Sequence, residues 1–216
     1  LSGFFDTTAQ KTFPTVDGAI TVPDNVWFHR CNNNSWFWFT YIDDTSITYA
    51  GGGTPISHSG NKSVVIYTAA NADAAKYSNH ANNLEHLQGV AQRLSLDDSK
   101  KYKLQFFYYR PNLVWGTTNV AANINHAEKI VVGIVSSTGA NVNTDYTYEK
   151  VITLEKTEGW KEYNITFDLP DIIQKNPGKS FEKCAIFFNI VPEIDSAQKT
   201  LKTLVNLDDI SLTETK

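Results

Sequence analysis

The sequence predicts an all-β protein, a sandwich of two antiparallel sheets, and three observations carry the prediction. Runs of β-branched and aromatic residues alternate with polar ones at a period of two, the pattern of half-buried strands. Short clusters of Gly, Pro, Asn, Asp and Ser separate these runs and supply turn chemistry. No repeat of fixed period and no low-complexity tract is present, which excludes propellers and solenoids. In chain order, the first strand-like run to carry a problem is Ser35-Trp36-Phe37-Trp38-Phe39-Thr40-Tyr41. Alternation puts Trp36 and Trp38 on one face and Phe37, Phe39 and Tyr41 on the other. Both faces cannot be solvent: one set lies in the core, and the Trp pair is taken as the exposed one.

After the Gly51-Gly52-Gly53 and Ser59-Gly60-Asn61 turns comes a strand over Ser63 to Tyr67. The stretch from Ala69 to His86, rich in Ala, Asn and His, breaks the alternation and reads as a long loop that overhangs a face or is a mere surface excursion. Val90 to Leu96 follows, then the Asp97-Asp98-Ser99 turn and a long strand from Tyr102 to Tyr109. Lys129 to Val135, the Thr138-Gly139 turn, Tyr163 to Leu169, the Asn176-Pro177-Gly178 turn and Cys184 to Val191 continue the series. Val205-Asn206-Leu207-Asp208-Asp209-Ile210-Ser211-Leu212 closes it.

Length and composition limit the functions available. A chain of 216 residues fits one β-sandwich, because such domains often run to about 200–250 residues, and no linker divides residues 1–216. The net charge is −4 and the Lys and Arg residues are scattered, so the basic footprint required by nucleic acid is missing. The longest apolar stretch, Ile130 to Val135, is far short of the roughly 20 residues that cross a bilayer, so no transmembrane segment is expected. Cys31 and Cys184 are the two cysteines; they are read as buried thiols rather than a disulfide.

Order along the chain adds a resemblance. Gly3-Phe4-Phe5-Asp6 opens it, Trp27 follows in Val22-Pro23-Asp24-Asn25-Val26-Trp27, and the Ser59-Gly60 turn leads into Val64-Val65-Ile66. Gln92 lies in Val90 to Leu96, Tyr102-Lys103-Leu104 opens the long strand, and Gly159-Trp160-Lys161-Glu162-Tyr163-Asn164-Ile165-Thr166-Phe167 precedes the closing Asp208-Asp209. This series, spanning nearly the whole chain, resembles the jelly-roll carbohydrate-binding modules attached to secreted polysaccharide-degrading enzymes, the galactose-binding-like sandwiches. The resemblance implies a polysaccharide or glycan partner and an extracellular, periplasmic or cell-surface location. It also implies packing roles for Trp27 and Trp160.

The same resemblance puts Tyr102, Leu104, Phe106 and Tyr108 inward, leaving Gln105, Phe107 and Tyr109 on an opposite, concave face. Pyranose rings carry C–H patches that lie flat on aromatic rings, and a Gln between two aromatics adds a partner for hydroxyls. These three residues are the expected sugar groove, with Trp36, Trp38 and Trp115 extending or bordering it; the alternative is a face covered by another segment. The resemblance further implies a structural Ca²⁺, held by Asp6 and Asp208 from the two ends of the chain and by Asn61 of the Ser-Gly turn. Oxygen ligands suit such a hard cation. Asp6 stands where the family more often has Glu, which shortens the reach, and both Asp residues could instead cap turns by accepting backbone amides.

Catalysis has little support. His29, His58, His80, His86 and His126 have no zinc spacing, no Gly-x-Ser-x-Gly elbow exists, and no carboxylate pair lies centrally on an aromatic face. The expectation is a non-catalytic binding module. Its rivals are a jelly-roll lyase or hydrolase, using Tyr109, His126 and Arg110 as base and charge neutraliser, and an adhesion module that binds protein.

Overall fold

The computed structural model of the protein describes residues 2–3, 27–30, 40–44, 58–59, 62–68, 89–110, 125–136, 147–157, 159–191, 193–194, 196–197 and 203–215. Their strands are β1 (Ser2–Gly3), β2 (Trp27–Arg30), β3 (Thr40–Asp44), β4 (Lys62–Thr68), β5 (Gly89–Leu94) and β6 (Lys101–Tyr109). β7 (Asn125–His126), β8 (Lys129–Ser136), β9 (Thr147–Thr153) and β10 (Lys161–Asp168) follow; then come a helix α1 (Leu169–Lys175), β11 (Cys184–Val191) and β12 (Thr203–Thr215). The loop expected over residues 69–86 lies outside the described residues.

Two sheets result. The first runs β10-β6-β12-β4-β3, with β1 and β7 also pairing with β12; the second runs β2-β5-β11-β8-β9. Pairing is antiparallel except for the short parallel contact of Asn125 with Thr203 and His126 with Leu204. The terminal strands β1 and β12 meet, Gly3 opposite Ile210, so the two ends of the chain adjoin as the motif order implied.

On β6 the alternation is kept. Leu104, Phe106 and Tyr108 are buried in the shared core while Gln105, Phe107 and Tyr109 stay half-buried on the outer face. β12 manages the same division with an irregularity. Val205 and Leu207 enter the core, the register with β6 slips between Asp208 and Ser211, and Ile210 and Leu212 enter the core next. Strict alternation would have sent Asp209 and Ser211 inward; the extra residue of a bulge resets the phase. Asp209 takes a positive φ of 45° there, a conformation that Asp tolerates better than most residues.

The second sheet behaves differently. Ile130, Val132 and Ile134 of β8 and Ile186, Phe188 and Ile190 of β11 face the core, yet Val131, Val135, Ala185, Phe187 and Asn189 on the opposite side are buried as well. These runs are apolar without interruption, as expected of strands covered on both faces. Phe187 lies so close over Gly133 that a Cβ there would stand 2.7 Å from the ring and 2.5 Å from the Tyr148 carbonyl oxygen.

The expected strand ending at Leu169 ends one residue earlier, and α1 was not foreseen. Asp168 caps it by accepting from the Asp171 amide at 3.3 Å, Pro170 occupies its first turn, and Leu169 and Ile172 bury its inner side. At this length no helical period emerges; the cap and the proline are the signals available. Cys184 is a buried free thiol, in keeping with the expectation for it, while Cys31 lies outside the described residues. Among the described residues no helix is long and apolar enough to cross a membrane.

Candidate functional site

On the outer face of the first sheet, the register of three neighbouring strands lines side chains into rows. Glu162, Phe107 and Asp208 lie opposite one another across β10, β6 and β12; Asn164, Gln105 and Ser211 form the adjacent row; Tyr109 lies opposite Asn206. Cross-strand partners point to the same side of a sheet, so the rows are a consequence of alternation and register alone. Trp160, two residues before Glu162, joins this face: its ring is 5.7 Å from that of Tyr109 at an interplanar angle of 39°.

The His58-Ser59 turn docks on these rows. The His58 imidazole stacks on Phe107 with centroids 3.6 Å apart and planes 14° from parallel, and meets Trp160 edge-on at 6.1 Å. Two consecutive acids hold the turn. Asp208 accepts the backbone amides of His58 at 2.7 Å and Ser59 at 3.3 Å on Oδ2, and that of Asp209 at 2.8 Å on Oδ1. Asp209 takes the side chains instead, with His58 Nδ1 at 2.6 Å from Oδ2 and the Ser59 hydroxyl donating to Oδ1 at 2.6 Å. Burial pushes the Asp208 carboxyl above the ordinary value, opposed by the three amides that favour its charged form.

The polar row beside the rings keeps hydrogen-bonding capacity at the surface. Asn164 is exposed and its Nδ2 donates to Glu162 Oε1 at 2.6 Å, while Gln105 and Ser211 are half-buried. Asn206 is fully buried, and neither atom of its amide has a hydrogen-bond partner among the described residues.

Gln105, Phe107 and Tyr109 thus share one face, as the sequence implied, and Asp208 stands in their midst. Trp36, Trp38, Trp115, Asp6 and Asn61 lie outside the described residues. Asp208 caps the 58–59 turn, which is the alternative role weighed for it. Carboxylates are the donors that a hard cation takes, but the described residues contain no cluster of three metal-binding side chains. His58 and Trp160 are the members the sequence reading missed. Alternation from Glu162 back to Trp160 could have found the second, and the Ser59-Gly60 turn, matched in order with Asp208, pointed to the first. Of the residues a lyase reading would use, Arg110 is engaged elsewhere. Its Nη1 donates to the Leu154 carbonyl at 2.6 Å, and its backbone exchanges hydrogen bonds with Thr157.

No protein-family model and no curated protein sequence matches the chain. Similarity is found among solved structures. A protein of Bacteroides thetaiotaomicron VPI-5482, described as a candidate sugar binding protein, aligns with a TM-score of 0.52 and 10% identity, covering 96% of this chain and 96% of that one. A carbohydrate-binding module, CBM4, gives 0.48 and 13% over 88% of this chain and 86% of its own. The CBM22-2 xylan-binding domain of Paenibacillus barcinonensis Xyn10C gives 0.48 and 13% over 88% and 91%. At these identities the likeness is one of fold: the chain is a two-sheet antiparallel jelly-roll β-sandwich.

Proposed function

We propose that this chain is a non-catalytic module that binds a glycan on the outer face of its first sheet. One observation carries the reading: Phe107 and Tyr109, flanked by Trp160 and by the polar row of Gln105, Asn164 and Ser211, stay half-buried or exposed on a face whose opposite side is fully packed. Rings beside amides and hydroxyls offer a pyranose both contacts it needs, C–H patches on π faces and partners for its hydroxyls. Trp36, Trp38 and Trp115 would border the same groove. The fold likeness to the candidate sugar binding protein is consistent with this use of the face. An extracellular or cell-surface location follows from such a partner.

The proposal includes a structural calcium ion, held by Asp208 together with Asp6 and Asn61. Its support is the hard carboxylate of Asp208 and the adjacency of β1 and β12. Such an ion would fasten the two ends of the chain and take no part in sugar recognition.

The binding reading is tested by electrophoresis through gels containing soluble polysaccharides, with the absorbance of unsaturated sugar ends followed in parallel. Retardation without new absorbance supports it. Turnover that is lost in Tyr109→Phe or His126→Ala would refute it in favour of a lyase.

A further inference from the structure

One face of the Phe107 ring is covered. The His58 imidazole lies against it with centroids 3.6 Å apart and planes 14° from parallel, and His58 is itself exposed. On that side a ligand meets the imidazole, not the phenyl ring.

The imidazole is held from three strands. Stacking on Phe107 of β6 sets its plane, Trp160 ahead of β10 meets it edge-on at 6.1 Å, and Asp209 of β12 engages Nδ1 at 2.6 Å. The backbone beneath it is fastened separately, because Asp208 accepts the amides of His58 and Ser59. Nδ1 is thus committed, while Nε2 has no hydrogen-bond partner among the described residues. A side chain already fixed in plane and position loses little rotamer freedom on binding, which is the cost that preorganisation removes.

We propose that His58 is a specificity-determining contact of the glycan face: its Nε2 shares a hydrogen bond with a hydroxyl of the sugar that rests on the neighbouring Trp160 and Tyr109 rings. Phe107 and Asp209 are then positioning residues that hold the imidazole. The proposal rests on the glycan-binding reading above and deepens it by assigning the polar partner of the ring subsite. A hydroxyl both donates and accepts, so the bond forms whichever ring nitrogen carries a proton. The other polar group of β6 is remote: Gln105 is four residues from Tyr109, about 13 Å along the strand, with the Phe107–His58 pair between them. Stacking alone accepts many flat rings, whereas a fixed nitrogen beside the stack rejects a sugar that lacks the matching hydroxyl.

The test compares wild type, His58→Phe, His58→Ala and Phe107→Leu on an array of neutral and acidic oligosaccharides, with urea unfolding of each as the check on folding. His58→Phe keeps an aromatic ring over Phe107 and removes both nitrogens, and the bonds from Asp208 to the turn remain because they use backbone amides. Its signal for the oligosaccharide that wild type binds best should fall about two- to tenfold, the worth of one hydrogen bond, and His58→Ala should fall at least as far. Phe107→Leu should weaken binding in wild type and add little in the His58→Phe background, since the ring it positions there no longer bonds the sugar. Undiminished binding by folded His58→Phe overturns the assignment; should that variant not fold, His58→Ala decides in the same way. An equal loss from Phe107→Leu in both backgrounds also overturns it, making Phe107 itself the sugar contact. These outcomes leave the binding reading standing, whereas a folded wild type that binds no oligosaccharide refutes that reading and the assignment together.

Discussion

Replacing Tyr108 and Tyr109 in turn by Ala separates stability from binding at adjacent residues. Tyr108 is 1% exposed, and its hydroxyl accepts from the Glu155 amide at 3.2 Å. Removing a core aromatic ring costs about 3–5 kcal/mol. The Glu155 amide loses its partner as well, a part-buried hydrogen bond that adds about 0.5–1.5 kcal/mol. Tyr109 is half-buried and its main ring contact is Trp160; losing an aromatic pair and part of one ring's burial costs roughly 1–2 kcal/mol. Urea unfolding with a common m-value measures both, and gel retardation at native conditions measures binding. The expected result is Tyr108→Ala severely destabilised and Tyr109→Ala folded but no longer retarded. A Tyr109→Ala protein that unfolds while Tyr108→Ala stays intact would invert the two faces; a folded Tyr109→Ala that is retarded like wild type would remove Tyr109 from the groove.

Chelation of calcium should lower the melting temperature and added Ca²⁺ should restore it, since a ligand bound only by the folded state stabilises it by mass action; identical melting curves with and without chelator would refute the ion. Gly133→Ala should destabilise the fold by at least about 1–3 kcal/mol in urea, because the new Cβ meets the Tyr148 carbonyl as well as the Phe187 ring; an unchanged midpoint would show that the two strands can part there. Burial pushes the Cys184 thiol far above its ordinary value, so it should resist a thiol reagent at neutral pH until the protein unfolds. Rapid labelling of Cys184 in native buffer would contradict that.

The fold was legible where one face of a strand is wet and the other dry. β6 announces itself through Leu104, Phe106 and Tyr108 set between Gln105, Phe107 and Tyr109; period separated the two sets, and the family resemblance said which of them is inward. β8 and β11 were legible as strands but not as doubly covered ones, because a short apolar run looks the same whether its second side is packed or open. α1 escaped because its evidence is local, a capping Asp168 and Pro170, inside a stretch whose Ile165 and Phe167 were already committed to a strand. The candidate site was legible only in part. Tyr109 and Gln105 come from one strand and can be read from it. The His58 contact joins residues separated by 150 positions in sequence, and only the pairing of β12 with β6 and β4 brings them together.

The closing Asp-Asp pair shows why such a contact can exist. A strand that alternates strictly presents every second residue to one side, so two consecutive acids could not both serve the outer face. At Asp208 the side chain already lies on that face, opposite Phe107. The bulge then inserts Asp209 without sending it into the core, at the cost of a positive φ, and returns Ile210 and Leu212 to the core in phase. One added residue thereby gives the turn at His58 two separate anchors, a buried carboxylate for its backbone and an accessible one for its side chains. The buried anchor keeps the turn in place, and the same strand completes the hydrophobic core beneath both.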